Sequence, residues 1–262
     1  VIHNAFSGSP QAFEIWPFRS SDLVIGDAPP VVNSLMRGTV CPNDGQVVTI
    51  TAEVESADPG NPVLDVDAVE LYWGTGTTPT YAMVAMTNTG GTTYTADIPA
   101  QANGTLVSYY IVARETDLTN PLAATYPSFG PECYTVNNGG CAISDIQRVP
   151  QVRFTGSQYW QSGYAGYTVT DVKGIVTAVF NEGSSATGYR VVIQEPGQTA
   201  WAGIELVGDP GIHTLNVGDS VNITNATVQD GGSPAFGTTR LNVTSFNDLG
   251  PANTTIAPVA MD

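Results

Sequence analysis

Only two histidines, His3 and His213, stand in a chain of 262 residues, and more than two hundred positions separate them. A hydroxyl or thiol nucleophile needs a base beside it, so any Ser–His–Asp arrangement would depend on one of these two. His213 falls in a Pro-Gly-Ile-His-Thr turn, and no Gly-x-Ser-x-Gly, His-Glu-x-x-His or phosphate-loop phrase is present. The 24 carboxylates would suffice in number for general acid–base work, but the sequence gives no pair of them a special environment. The expectation is a chain without catalytic residues, any catalytic domain lying outside it.

Metal binding is the second chemistry to weigh. Cys41, Cys133 and Cys141 form no Cys-x-x-Cys pair, which argues against zinc and for disulfide pairing in an exported protein, with one thiol left over. Asp58, Asp65, Asp67 and Glu70 cluster before a strand ending at Trp73, and Glu115 and Asp117 fall in a loop after another strand. Oxygen-rich loops between strands can hold calcium, although EF-hand spacing is absent. Asp65, Asp67 and Glu70 are therefore candidate calcium ligands, with solvated acidic turns as the competing reading. No other cofactor is expected.

Ligand binding is the third. Arg190, Val192 and Gln194 share one strand face by period two, with Lys173 and Arg240 on other strands. Tyr189 and Trp201 would offer stacking surfaces of the kind single-strand-binding barrels use. The candidate ligand residues are thus Tyr189, Arg190, Gln194, Trp201 and Arg240. Charge opposes a nucleic-acid groove: residues 143–262 carry five basic groups against ten acidic, and the whole chain has net charge −16.

The elements that must position these residues are strands. Helical periodicity is nearly absent, charged residues are only 12%, and Gly (28) and Pro (18) punctuate short alternating runs. No apolar run is long enough to span a membrane as a helix. In residues 29–137, Val48, Ile50, Ala52 and Val54 share one face, and runs follow at 66–73, 81–86, 93–98, 106–113 and 132–136. That is sandwich-like spacing. Asn137-Asn-Gly-Gly140 and the residues to 142 read as a linker. In residues 143–245, runs at 167–180, 189–195, 201–206, 215–224 and 238–244 describe a small closed barrel, with Gly174 bending its first strand. The fold class is all-β: a sandwich followed by a five-stranded barrel. Residues 1–28 and 246–262 read as extended segments outside both.

The phrases Val69-Glu-Leu-Tyr-Trp73, Tyr94-Thr-Ala-Asp-Ile-Pro99 and Val107-Ser-Tyr-Tyr-Ile-Val-Ala113 carry a resemblance. The first block resembles the immunoglobulin-like or fibronectin III-like modules of secreted bacterial proteins. Gly174-Ile-Val-Thr177, Val192-Ile-Gln194, Gly203-Ile204, Val217-Gly-Asp-Ser-Val221 and Thr239-Arg-Leu241 make the second block similar to the oligonucleotide/oligosaccharide-binding (OB) modules that accompany extracellular nucleases. In Val217-Gly-Asp-Ser-Val221, Gly218 turns the chain, Asp219 can accept backbone N–H groups and Val221 re-enters the core. The immunoglobulin-like topology implies a Cys41–Cys133 bridge, with Cys141 as the alternative partner of either.

The first residues are too apolar for water: Phe6, Phe13, Ile15, Trp16 and Phe18 would either cover the sandwich or dock on a second copy. The chain begins at Val1 without a starting Met or signal peptide, and so reads as processed or as a segment of something longer. Five Asn-x-Ser/Thr phrases, at Asn103, Asn222, Asn225, Asn242 and Asn253, read as Thr- and Asn-rich strand surfaces or, in a eukaryotic secretory protein, glycan acceptors. The functional expectation is an accessory, spacer or adhesion region of a longer secreted or cell-surface protein. Its partners would be neighbouring domains or identical subunits. The alternatives are a fibre or surface-layer subunit joined by strand addition, and a nucleic-acid or glycan targeting module of a nuclease.

Overall fold

The structure, a computed structural model, describes residues 2–4, 13–15, 28–57, 66–115, 122–128, 130–147, 162–181, 189–230 and 238–253. Near the N-terminus β1 (Ile2–Asn4) and β2 (Phe13–Ile15) pair antiparallel, Ile2 opposite Ile15. Nine sandwich strands follow: β3 (Val31–Arg37), β4 (Val48–Glu55), β5 (Val66–Thr75), β6 (Ala82–Ala85), β7 (Thr87–Gly90), β8 (Thr93–Ile98), β9 (Leu106–Glu115), β10 (Ala123–Tyr126) and β11 (Glu132–Thr135). One sheet has the order β3-β4-β8-β7; the other runs β10-β9-β5-β6, with β11 also on β9. These are the two sheets of an immunoglobulin-like sandwich. Its core follows from alternation: Val48, Ile50, Ala52 and Val54 of β4 face Val69 and Leu71 of β5 and Val107, Tyr109 and Ile111 of β9, all buried. Only Met86 separates β6 from β7, so the chain changes sheets along one side of the sandwich.

A four-residue helix α1 (Ile143–Ile146) leads to the barrel strands β12 (Thr168–Val169), β13 (Val172–Asn181), β14 (Tyr189–Gln194), β15 (Gly203–Gly208), β16 (Asp219–Asp230) and β17 (Thr239–Pro251). Five of them close in the order β13-β14-β15-β17-β16 and back to β13, with β15 and β17 parallel. That order is the OB-like barrel. Gly174 is required inside it, because a Cβ there would lie 3.0 Å from Ile193 and 3.2 Å from Ile143. A 3-10 turn (Pro210–Thr214) closes one end with Ile212 and Leu215. Ile143 and Ile146 of α1 close the other, where Gln147 donates to the carbonyls of Gly203 and Thr239. The Val217-Gly-Asp-Ser-Val221 phrase behaves as its chemistry predicts: Gly218 has φ +97°, Asp219 accepts the Asn216 N–H at 2.7 Å and Val221 is buried.

Two expectations change. The last barrel strand runs on to Pro251, so residues 246–251 belong to the barrel and half-buried Phe246 packs on its core. Three register shifts along the β16–β17 pair let this long ribbon curl, and they erase the alternation that would have announced it. The disulfide joins Cys41 to Cys141, Cα atoms 5.3 Å apart, and not Cys41 to Cys133. Cys133 of β11 sits opposite Ser108 and is buried outside the bridge. The linker is held by hydrogen bonds to the sandwich: Asn137 N–H donates to the Pro42 carbonyl, Asn138 N–H to Asn103 and Asp44 N–H to Asn138.

Candidate functional site

On the barrel, β14 alternates as its sequence requires. Val191 and Ile193 face the core, and Arg190, Val192 and Gln194 face out. Arg190 lies opposite Phe180, which is 52% exposed, and its Nη1 forms an ion pair with Glu205 of β15 at 3.2 Å. Glu205 in turn stands opposite Arg240 of β17, whose Nε is buried without a hydrogen-bond partner. Arg190 and Arg240 therefore flank one carboxylate, an arrangement that neutralises part of the positive potential a phosphate backbone would need.

The two aromatic candidates part company. Tyr189 packs half-buried at one end of β14, its ring 5.3 Å from that of His213, so its faces are committed to the barrel end. His213, which it meets, is an exposed residue of the 3-10 turn. Trp201 is not on a strand face: β15 begins at Gly203, and Trp201 sits in the β14–β15 turn with φ +57° and is 61% exposed. A bulky residue held in the left-handed region and in water is a strained, outward-facing aromatic, a feature that packing does not ask for. Gln194 lies near this end, where it pairs with Gly203. The structure thus separates Trp201 and Gln194 from Tyr189 and Arg190 by the length of β14.

Of the calcium candidates, Asp65 lies outside the described residues, as do Asp58 and Asp117. Asp67 is exposed at a register shift of β5. Glu70 is engaged on the outer face of the sandwich: it accepts the Tyr72 hydroxyl at 3.0 Å and pairs with Arg114 at 3.2 Å. Next to this pair Tyr72 and Tyr110 stack with centroids 5.0 Å apart, and Tyr81 meets Tyr110 edge-on. Glu115 is buried at the end of β9 and accepts the Leu122 N–H through Oε1. Among the described residues no three His, Cys, Asp or Glu side chains come together to hold a metal ion. Of the assembly candidates, Phe13 and Ile15 lie in β2, whereas Phe6, Trp16 and Phe18 fall outside the described residues.

The densest chemistry in the molecule sits where sandwich meets barrel. Arg37, the last residue of β3, is 3% exposed. Its guanidinium carbon lies 4.2 Å from the ring centre of Tyr167, 4.5 Å from Tyr164 and 5.7 Å from Tyr134. Nη1 donates to the Gly163 carbonyl at 2.8 Å and the Cys133 carbonyl at 3.4 Å, and Nε to Val40 at 3.1 Å. The Tyr167 hydroxyl accepts the Arg37 backbone N–H, and the Tyr164 hydroxyl accepts the Thr135 N–H. Sandwich residues (Arg37, Tyr134, Thr135) and residues leading into the barrel (Gly163, Tyr164, Tyr167) thus share one aromatic cage around a buried cation. Burial opposes the charge of Arg37, but the oxygens of Tyr109, Tyr164 and Tyr167 outweigh it and hold the guanidinium protonated. Burial pushes the Tyr109, Tyr134 and Tyr164 hydroxyls well above their ordinary range.

Sequence reasoning missed this cage, although one signal was there. Leu35 and Arg37 stand at core positions by alternation, so an arginine occupies a place where a buried residue belongs. No protein-family model matches the chain, and a search of curated proteins finds no match to it.

Proposed function

We propose that this chain is a non-catalytic accessory region of a secreted or cell-surface protein, in which sandwich and barrel act as one stiff arm. The observation that supports this reading most is the Arg37 cage, reinforced by the Cys41–Cys141 bridge from the loop after β3 to a residue two positions before the helix that plugs the barrel. A flexible tether would need none of these groups. A stiff spacer or adhesion arm needs them all, because each kcal/mol at the junction lowers the population of bent states about fivefold. The disulfide fits an oxidising compartment outside the cell. Small-angle scattering tests the reading: the native chain should fit a single rigid shape, and Arg37→Ala with the bridge reduced should require an ensemble of inter-module angles. A native chain that itself requires such an ensemble removes the proposal.

A second reading, a subunit joined to its copies by strand addition, is favoured by one specific observation. Among the described residues β1 and β2 pair only with each other, and an isolated two-stranded ribbon is marginal in water. Targeting of a glycan or nucleic acid by the barrel rests on Trp201 alone. The chain's acidity favours an uncharged saccharide over nucleic acid as its ligand.

A further inference from the structure

Resting on the strand-addition reading, we infer that the acceptor is the free edge of β6 and that its occupant is the β1–β2 ribbon of a second copy of this chain. β6 ends its sheet, pairing with β5 on one side and, among the described residues, with nothing on the other. Ala82, Met83 and Ala85 are exposed, Met83 at 54%. Soluble proteins guard such an edge with lysine, proline, a bulge or a cover. Here charge is missing over a long span, and Pro79, before β6 begins, is the one proline in it: from Leu71 to Ala96 there is no Asp, Glu, Lys, Arg or His in a chain of net charge −16. Two copies of so acidic a molecule repel almost everywhere else, and this uncharged side is where they meet at least electrostatic cost.

The occupant is argued from the same page. Residues 1–18 carry a single acidic side chain, Glu14, and no Lys or Arg, so the ribbon matches the neutrality of the edge. Among the described residues both ribbon strands have unpaired outer edges, and ribbon and β6 do not pair within one chain. The next strand in sequence, β3, lies against β10, whereas β6 and β7 form the opposite side of the sandwich. A contact between the ribbon of one copy and β6 of the next is heterologous, so it propagates into a chain of subunits unless it closes into a ring.

Light scattering of the full chain over a range of concentrations tests this, with three variants beside it. The full chain should grow beyond monomer mass with concentration. Removal of residues 1–20 should leave a monomer, and so should Met83→Lys with Ala85→Lys. Those lysines make the chain less acidic, so loss of assembly cannot come from added repulsion. Val47→Lys, at an exposed position away from β6, should assemble as the native chain does. If the double-lysine variant assembles normally while the truncation does not, β6 is not the acceptor, although strand addition stands. If the native chain is monomeric throughout, this inference and the reading beneath it fall together.

Discussion

Arg37 shows what one side chain can do when the fold gives it no carboxylate. Cation–π contact with three tyrosines and donation to three carbonyls replace the counter-ion, which suits a planar guanidinium and not an ammonium. Arg37→Ala should cost about 2–4 kcal/mol in urea unfolding, since it strips donors from buried carbonyls and empties the cage. Arg37→Lys should recover little of that, because lysine keeps the charge but loses the fork and the flat face. The cage also fixes a pH limit. Tyr109, Tyr134 and Tyr164 ionise far less readily folded than unfolded. Their contribution is therefore complete below the unfolded tyrosine range, near pH ~10. It is lost as pH rises further, because only the unfolded chain then gives up the protons. Denaturation midpoints should fall above about pH 10, and the part of the phenolate absorbance that Tyr109, Tyr134 and Tyr164 contribute should appear together with unfolding rather than before it.

At the scale of elements, the turn carrying Gly163 and the bridge at Cys141 decide how the barrel is attached. A Cβ on Gly163 would land on the Cys133 carbonyl oxygen and lie 2.8 Å from its sulfur. Both groups are held by β11 in its sheet, so neither can yield cheaply. Gly163→Ala should destabilise by about 1–3 kcal/mol and broaden the amide resonances of the junction first. The Cys41–Cys141 bridge closes 100 residues of chain, and its reduction should lower stability by roughly 2–4 kcal/mol. Peptide mapping without reductant should recover Cys41 with Cys141, and Cys133 as a thiol. A Cys41–Cys133 peptide would contradict the structure.

For the whole molecule, the junction predicts cooperativity. With the bridge intact, sandwich and barrel should melt in one transition in which calorimetric and van't Hoff enthalpies agree. Arg37→Ala under reducing conditions should split it in two. Net charge predicts a second behaviour: with Arg190 paired to Glu205 and the chain at −16, titration with single-stranded DNA should show no salt-dependent binding. Trp201 is the probe for the uncharged alternative. Its fluorescence should respond to a saccharide that stacks on it, and Trp201→Ala should abolish the response with stability changed by less than about 0.5 kcal/mol.

What the sequence by itself determined is what local chemistry can encode. Alternation in β4 and β14 placed the core faces, turn residues such as Gly218 and Asp219 marked the chain reversals, and low charge with many Gly, Pro and Thr made the class all-β. Period two is written into each strand, so it survives without knowledge of the neighbours. The partner of Cys41, the burial of Arg37 among tyrosines up to 130 positions away, the turn position of Trp201 and the continuation of β17 to Pro251 were decided by tertiary structure alone. Each depends on which surfaces meet after the sheets close. Cys133 was the plausible partner while the sandwich was considered alone. Once the barrel docks against that end, Cys141 is drawn to Cys41, and the surface around Arg37 becomes an interior.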